Sequence, residues 1–282
     1  MTNNYLIKKS SGEKQNYSVN KLRNSLKMSG ASPETVESII REIEKELSEG
    51  LSTRSIFKKA FRLLRKKQHS IAARYSLKNA IMELGPTGYP FEKYVGEIFK
   101  ELGFQVEVGV IVNGKCVSHE VDVVATNKEK IIMVECKYHN TPGRICNVQV
   151  PLYIHSRFQD IRDTMLANSG NDNKIFEGWV VTNTRFSEDA EKYGKCAGLH
   201  LIGWDYPFHG SLKNLVENAG LFPITTLTWL NKKQKQQLID NNVLLCRDLH
   251  KAPSLLNQLE LSANVQSKVM TEVAELCSVI EA

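Results

Sequence analysis

Gly85-Pro86-Thr87-Gly88 divides this 282-residue chain into two stretches that obey different periodicities. Glycine permits backbone angles that other residues avoid, and proline removes a donor, so the tetrapeptide ends whatever precedes it. Upstream, apolar residues recur at helical spacing: Val36, Ile39, Ile40, Ile43 and Leu47 form one stripe. Downstream, Val106, Val108, Val110 and Val112 alternate, as in a half-buried strand, and Ile131-Ile132-Met133-Val134 reads as a buried one. With 41% hydrophobic and 24% charged residues, the chain can bury cores on both sides of the break.

Before the break, Tyr5 to Tyr17 reads as a hairpin around Ser10-Ser11-Gly12-Glu13, followed by helices. Ser18 can cap the first helix. Ser32-Pro33-Glu34 supplies a cap, a first-turn proline and a first-turn acid for the second. Gly50 ends that helix, Thr53 can cap the next, and Ser70 to Leu84 is expected as one last helix.

After the break, the expected order begins with a helix over Phe91–Leu102 and a strand turning at Asn113-Gly114. Strands follow at Val121–Val124 and Ile131–Lys137, then a helix over about 145–166. The strand Gly178–Thr182, a helix capped by Ser187 and a strand at Leu199–Ile202 complete the series. That sequence of elements predicts an α/β sandwich with a mixed sheet. From about Leu215 only short helices are expected, so the predicted domains are 1–85, 86–214 and 215–282.

Charge is distributed unevenly. Residues 1–85 carry 17 Lys and Arg against 8 Asp and Glu, a net +9, while the rest nets −3, giving +6 overall. The basic third calls for a polyanion, either nucleotide phosphates or a nucleic-acid backbone, or is a solvated helix face. Residues 216–282, with six basic and seven acidic side chains, show no such excess. No apolar run reaches the roughly 18–20 residues of a membrane helix, so no membrane partner is expected. Met1-Thr2-Asn3-Asn4-Tyr5 opens no signal-peptide core. Six scattered cysteines with no Cys-x-x-Cys fit reduced thiols in a cytoplasmic protein, not a zinc ribbon or a disulfide framework. No glycine-rich phosphate-loop motif occurs.

Chemistry concentrates at Asp122 and, thirteen residues on, Glu135-Cys136-Lys137. Strand alternation puts Glu135 and Lys137 on one face with Cys136 on the other. Carboxylates beside apolar strands are costly unless paired or bound to a cation, and oxygen donors suit Mg²⁺. By itself Glu-x-Lys is also the signature of a surface ion pair.

In the order helix with Phe91-Glu92, Gly103-Phe104, a β-meander carrying Asp122, then Val134-Glu135-Cys136-Lys137, the segment resembles the PD-(D/E)XK nuclease superfamily. It is most similar to the Mrr-like type IV restriction endonucleases and their Holliday-junction resolvase relatives. The resemblance implies a restriction-endonuclease-like mixed sheet flanked by helices, a DNA substrate and Mg²⁺ or Mn²⁺. Asp122, Glu135 and Lys137 match the catalytic acid, second acid and lysine, and Cys136 the position whose carbonyl often binds the metal. Glu92 matches the first-helix acid, with Glu97 as competitor. Gln149 and Tyr153 resemble the Gln-x-x-x-Tyr element that lines the DNA path in RecB-type nucleases. Val121 replaces the proline of the family's Pro-Asp pair.

The run Leu6-Ile7-Lys8-Lys9-Ser10-Ser11-Gly12 with Tyr17-Ser18-Val19-Asn20-Lys21-Leu22 resembles the ATP-cone domain, a regulatory module that binds ATP or dATP. That resemblance implies nucleotide contacts from Lys8, Lys9, Gly12, Lys21 and Thr53. Ser10-Ser11 departs from the Arg-Asp of many members. The C-terminal helices resemble helix-hairpin-helix modules, with Asn241-Asn242 where the glycine turn belongs. Together these readings anticipate a cytoplasmic, nucleotide-regulated, homo-oligomeric DNA endonuclease of restriction or defence type. A repair or junction-resolving nuclease is the alternative within enzymes. A nucleotide-responsive DNA-binding regulator with an inactive nuclease fold is the alternative outside them.

Overall fold

The computed structural model describes residues 5–9, 12–167 and 173–278. Ser10-Ser11, at the tip of the expected hairpin, lie outside the described residues, as do Met1 to Asn4. Two compact units emerge, one from the described residues of Met1–Ala80 and Phe222–Ala282, the other from Ile81–Leu221. The C-terminal helices, expected as a lobe of their own, thus share a unit with the N-terminal stretch.

The first unit opens with an antiparallel hairpin of β1 (Leu6–Lys8) and β2 (Lys14–Asn16). Helices α1 (Val19–Met28), α2 (Pro33–Glu44) and α3 (Thr53–Lys67) each begin at a serine whose side chain accepts a backbone N–H: Ser18, Ser32 and Ser52. Ser52, not Thr53, caps α3, because its backbone is extended while Thr53 already belongs to the helix. The single helix expected from Ser70 to Leu84 is two, α4 (His69–Tyr75) and α5 (Leu77–Met82), separated at Ser76, whose hydroxyl turns back onto the Ala73 carbonyl. Val36, Ile39, Ile40 and Ile43 of α2 are buried with Leu22, Leu26, Ile56, Ala60, Leu64 and Ala72. Each large aliphatic side chain so buried is worth about 1.5–3 kcal/mol.

The second unit, entered through α5, runs α6 (Tyr89–Glu101), β3 (Gln105–Asn113), β4 (Ser118–Thr126), β5 (Lys130–Lys137), β6 (Ile145–Cys146) and α7 (Gln149–Ala167). It continues through β7 (Ile175–Thr182), β8 (Arg185–Phe186), α8 (Glu188–Cys196), β9 (His200–Ile202) and α9 (Leu212–Asn218). The main sheet has order β3-β4-β5-β7-β9, antiparallel through β5 and parallel from β5 to β9. This is the mixed α/β architecture, a five-stranded mixed sheet flanked by helices.

Two local expectations change. The β3–β4 connection is a four-residue loop, not a two-residue turn. The Asp160 carboxylate accepts the Cys116 and Val117 N–H groups and His119 Nε2, which holds the wider loop open. Ile145 and Cys146 are not helical but form a parallel pair with Arg185 and Phe186. Gly178 on β7 lets α7 approach the sheet, since a Cβ there would run into the Phe158 ring.

Back in the first unit, the chain ends with α10 (Lys232–Asp240), α11 (Cys246–Lys251) and α12 (Ala263–Cys277). His69 stacks on Trp229 with ring centroids 4.2 Å apart, and Arg74 donates to the Glu275 carbonyl at 2.7 Å. Asn242 takes the left-handed backbone (φ 61°) that a glycine turn would supply, a conformation asparagine tolerates better than most residues. Among the described residues no helix is long and apolar enough to cross a membrane.

Candidate active site

The site grows from the point where two strands stop pairing. β4 and β5 are joined from Thr126–Ile131 to Val123–Val134, while β5 stays paired with β7 through Lys137–Thr182. The β5 backbone beyond Val134 therefore has donors with no β4 partner. The N–H of Cys136 gives its hydrogen bond to Asp122 Oδ2 at 2.6 Å. This fixes the aspartate at the fork by a charge-assisted bond.

Glu135 and Lys137, two apart on β5, share a face as strand alternation requires, with Lys137 Nζ 2.6 Å from Glu135 Oε1. Only 5% of Glu135 is exposed, a burial that costs a carboxylate heavily unless both oxygens are paired. Arg157 of α7 completes the pairing, with Nη1 2.8 Å from Glu135 Oε2. Its Nη2 donates to the Glu120 carbonyl, and its guanidinium lies 5.6 Å from the centroid of the Tyr153 ring. One arginine thus ties α7 to both strands of the fork.

Asp122 and Glu92 remain short of positive charge. Burial first, and then the Glu135 carboxylate, pushes Asp122 up to about 6, against the opposing Cys136 bond, Lys137 and Arg157. Burial, then Asp122, Glu120 and Glu135, pushes Glu92 on the first turn of α6 up to about 7. Each would be relieved by a cation. The donors are hard carboxylate oxygens, which suit Mg²⁺ or Mn²⁺. Among the described residues no three His, Cys, Asp or Glu side chains already form a metal cage. A Mg²⁺ ion needs none, because it is usually held by one or two carboxylates with waters and substrate phosphates. Asp122 with Glu92 or Glu135 fits that requirement.

Residues 85–205 match the family model described as restriction endonuclease, and residues 222–277 match the one described as AF1548-like, C-terminal. An uncharacterized protein of Archaeoglobus fulgidus is 34% identical over 183 residues, which are 64% of this chain and 99% of that protein. The crystal structure of a protein of unknown function, AF1548, aligns with a TM-score of 0.54 at 33% identity, covering 68% of this chain and 99% of the other. The chain belongs to the AF1548-like family. Its restriction endonuclease segment spans α6 to β9 and so contains Glu92, Asp122, Glu135, Lys137 and Arg157.

Not every candidate of this AF1548-like chain joins the cluster. Glu97 pairs with Lys100 at 2.7 Å, whereas Glu92 feels the fork's carboxylates, which distinguishes the two acids of α6. Gln149 is exposed in the first turn of α7, its Oε1 accepting from Asn147 at 3.3 Å, and no hydrogen bond joins it to the acids among the described residues. Tyr153 reaches the cluster through Arg157. That arginine escaped the sequence reading, although it stands four residues beyond Tyr153 and eight beyond Gln149, on the same helical face. His139 is held beside the site through its backbone, which exchanges two hydrogen bonds with the Asn183 side chain.

In the first unit, Lys8 N–H donates to the Leu51 carbonyl and Lys8 bridges to Ser52, so the hairpin lies against the start of α3 with Thr53. Lys9 pairs with Glu13 at 3.1 Å across the turn, where Gly12 takes φ +90°. Lys21 is exposed in the first turn of α1.

Proposed function

We propose that this chain is a Mg²⁺-dependent DNA endonuclease of restriction or defence type whose activity responds to ATP or dATP. The observation that carries the reading is the fork itself. Asp122, Glu135 and Lys137 are brought together within a restriction endonuclease segment, with Glu92 adding a further carboxylate. Domains of this type generally use Mg²⁺, and here Asp122, Glu135, the Cys136 carbonyl and Glu92 are the groups that would hold it. When bound, the ion would neutralise charge building on the phosphoryl oxygens of the scissile phosphodiester.

The chain's own residues divide the remaining work. Lys137 Nζ, on a side chain about one-third exposed, holds the attacking water and by its positive charge favours loss of the water's proton to solvent. That oxygen forms the new bond to phosphorus as the ester P–O bond breaks, and the leaving oxygen takes a proton from solvent. Glu135 keeps that lysine aimed, and Arg157, paired with the other Glu135 oxygen, keeps Glu135 oriented. Gln149 and Tyr153, exposed on α7, offer hydrogen-bonding and stacking groups to the DNA path.

The nucleotide reading rests on the hairpin and the helix starts. Lys8, Lys9 and Lys21 offer ammonium groups, Gly12 turns the hairpin with φ +90°, and Thr53 opens α3, whose first backbone N–H groups suit triphosphate oxygens. Lys9 gives up only an exposed pair with Glu13 to join them. Nucleotide acts by shifting a homo-oligomeric equilibrium, which it can do only through differential affinity for the two states. Plasmid cleavage in Mg²⁺ or EDTA, with no nucleotide, ATP or dATP, alongside sedimentation, tests the whole reading. Cleavage lost in EDTA and a nucleotide-dependent change in rate and mass are expected. Equal cleavage in EDTA would sink the metal, and identical rate and mass would sink the switch.

A further inference from the structure

Helix α3 carries seven basic residues and no acid in fifteen positions. Its buried side is Ile56, Ala60 and Leu64. At 100° per residue, Arg54, Lys58, Arg62, Arg65 and Lys66 fall on the opposite side, and all five are exposed. They run along about 18 Å of helix at 1.5 Å per residue. The sixth cation near this arc, Lys59, is taken up by Glu46 at 2.9 Å and by the Glu42 carbonyl. The five make no ion pair among the described residues. Elsewhere several surface cations find an acid within a turn, as Lys45 does Glu42, Lys100 Glu97, Lys192 Glu188 and Lys213 Glu217. Exposed cations without an ion pair among the described residues on α1 (Lys21, Lys27) and α10 (Lys232, Lys233) come in twos, not in a row of five.

Folding does not account for this stripe. Arg54, in the first turn, meets the positive end of the helix dipole, and Arg54-Lys58-Arg62 repel one another at four-residue spacing. Only Arg65, Lys66 and Lys67, in the last turn, are favoured by the dipole. At that end the positive field is felt nearby: burial, then Arg65 and Lys268, holds His69 below the ordinary imidazole value.

We propose that the exposed face of α3 is a sequence-independent binding surface for the phosphate backbone of duplex DNA. The proposal rests on the nuclease reading for its choice of polyanion and extends it to a unit that carries none of the catalytic groups. A duplex presents one phosphate per about 1.7 Å of axis, so roughly ten lie within the reach of the stripe, enough to engage all five cations. Flexible side chains without a fixed bidentate frame select charge, not base sequence.

The test uses the full chain and two labelled 30-base-pair duplexes of unrelated sequence, titrated by fluorescence anisotropy in EDTA across a salt series. In the neutral variant Arg54→Gln/Lys58→Gln/Arg62→Gln, the slope of log affinity against log salt should fall by about three, at roughly 0.9 per contact. Affinity near 0.1 M salt should fall on the order of 100-fold, equally for both duplexes. The charge-keeping variant Arg54→Lys/Lys58→Arg/Arg62→Lys should keep the slope, which separates charge from misfolding. An unchanged slope and affinity in the neutral variant overturns the proposal. So does a wild-type chain that binds neither duplex, or a loss confined to ATP binding. Wild-type binding in EDTA without cleavage in Mg²⁺ would remove the nuclease reading alone.

Discussion

The two units handle charge in opposite ways. In the second, Glu135 is almost fully buried and both its oxygens are answered, by Lys137 and by Arg157. In the first, Arg54, Lys58, Arg62, Arg65 and Lys66 lie open along α3 with no acid on their helix. A buried charge must be satisfied by its own chain, because desolvation costs several kcal/mol, whereas an exposed one can wait for a partner. Reactive chemistry therefore leaves a local motif in a strand, and recognition of a polyanion leaves a surplus of charge.

The contrast can be broken most forcefully at Lys137. Lys137→Ala should cut the rate of cleavage in Mg²⁺ by about a hundred- to ten-thousandfold, the range for a positioned acid–base group, while calorimetry still detects Mn²⁺ binding. Cleavage within a few-fold of wild type would return Lys137 to the role of an ordinary ion-pair partner.

Arg157→Ala probes the same unit one step out. It leaves Glu135 Oε2 buried without its partner, so about 1–3 kcal/mol of stability and about ten- to a hundredfold in rate should be lost. Thermal melting beside single-turnover cleavage separates the two effects, and Arg157→Lys should restore more stability than rate, since one ammonium cannot span both Glu135 and the Glu120 carbonyl.

In the first unit, Lys9→Ala and Lys21→Ala should each weaken ATP or dATP binding by about ten- to a hundredfold, at roughly 1.5–3 kcal/mol per charge-assisted contact. Equal affinity in isothermal titration would leave the hairpin without its nucleotide.

The smallest effect concerns Glu92. Its folded carboxyl titrates near 7, above the ordinary unfolded value of about 4.3, so its charge costs stability. That cost develops as pH rises from about 4.3 and is complete above about 7. Glu92→Gln, melted in EDTA, should therefore gain a few degrees at pH 8, at about 2–4 °C per kcal/mol, and nothing at pH 4. The same gain at both pH values would contradict the placement of Glu92 among the fork's acids.

Much of the nuclease unit was legible because its signals are local. Alternation in β3, the apolar run of β5 and the Ser187 cap of α8 need no distant partner to be read. Asp122 and the Glu-x-Lys pair were visible for the same reason. What stayed hidden depends on contacts far along the chain. Arg157 acquires its role from Glu135, 22 residues away, and the wide β3–β4 loop depends on Asp160, 44 residues from Cys116. Pairing of Ile145-Cys146 with Arg185-Phe186 overrides what reads as the start of a helix. The grouping of Phe222 onward with residues up to Ala80 involves the stack of His69 on Trp229 and the Arg74 bond to Glu275, which no periodicity announces.

The central claim is that the fork of β4 and β5 cuts DNA with a divalent cation, and Asp122→Asn tests it most directly. The substitution keeps the shape and an acceptor for the Cys136 N–H while removing the charge a metal would answer. Single-turnover cleavage of a plasmid in Mg²⁺ should fall by about a thousandfold or more, some 4 kcal/mol of barrier, with DNA affinity in EDTA unchanged. Cleavage by Asp122→Asn at the wild-type rate would contradict the account.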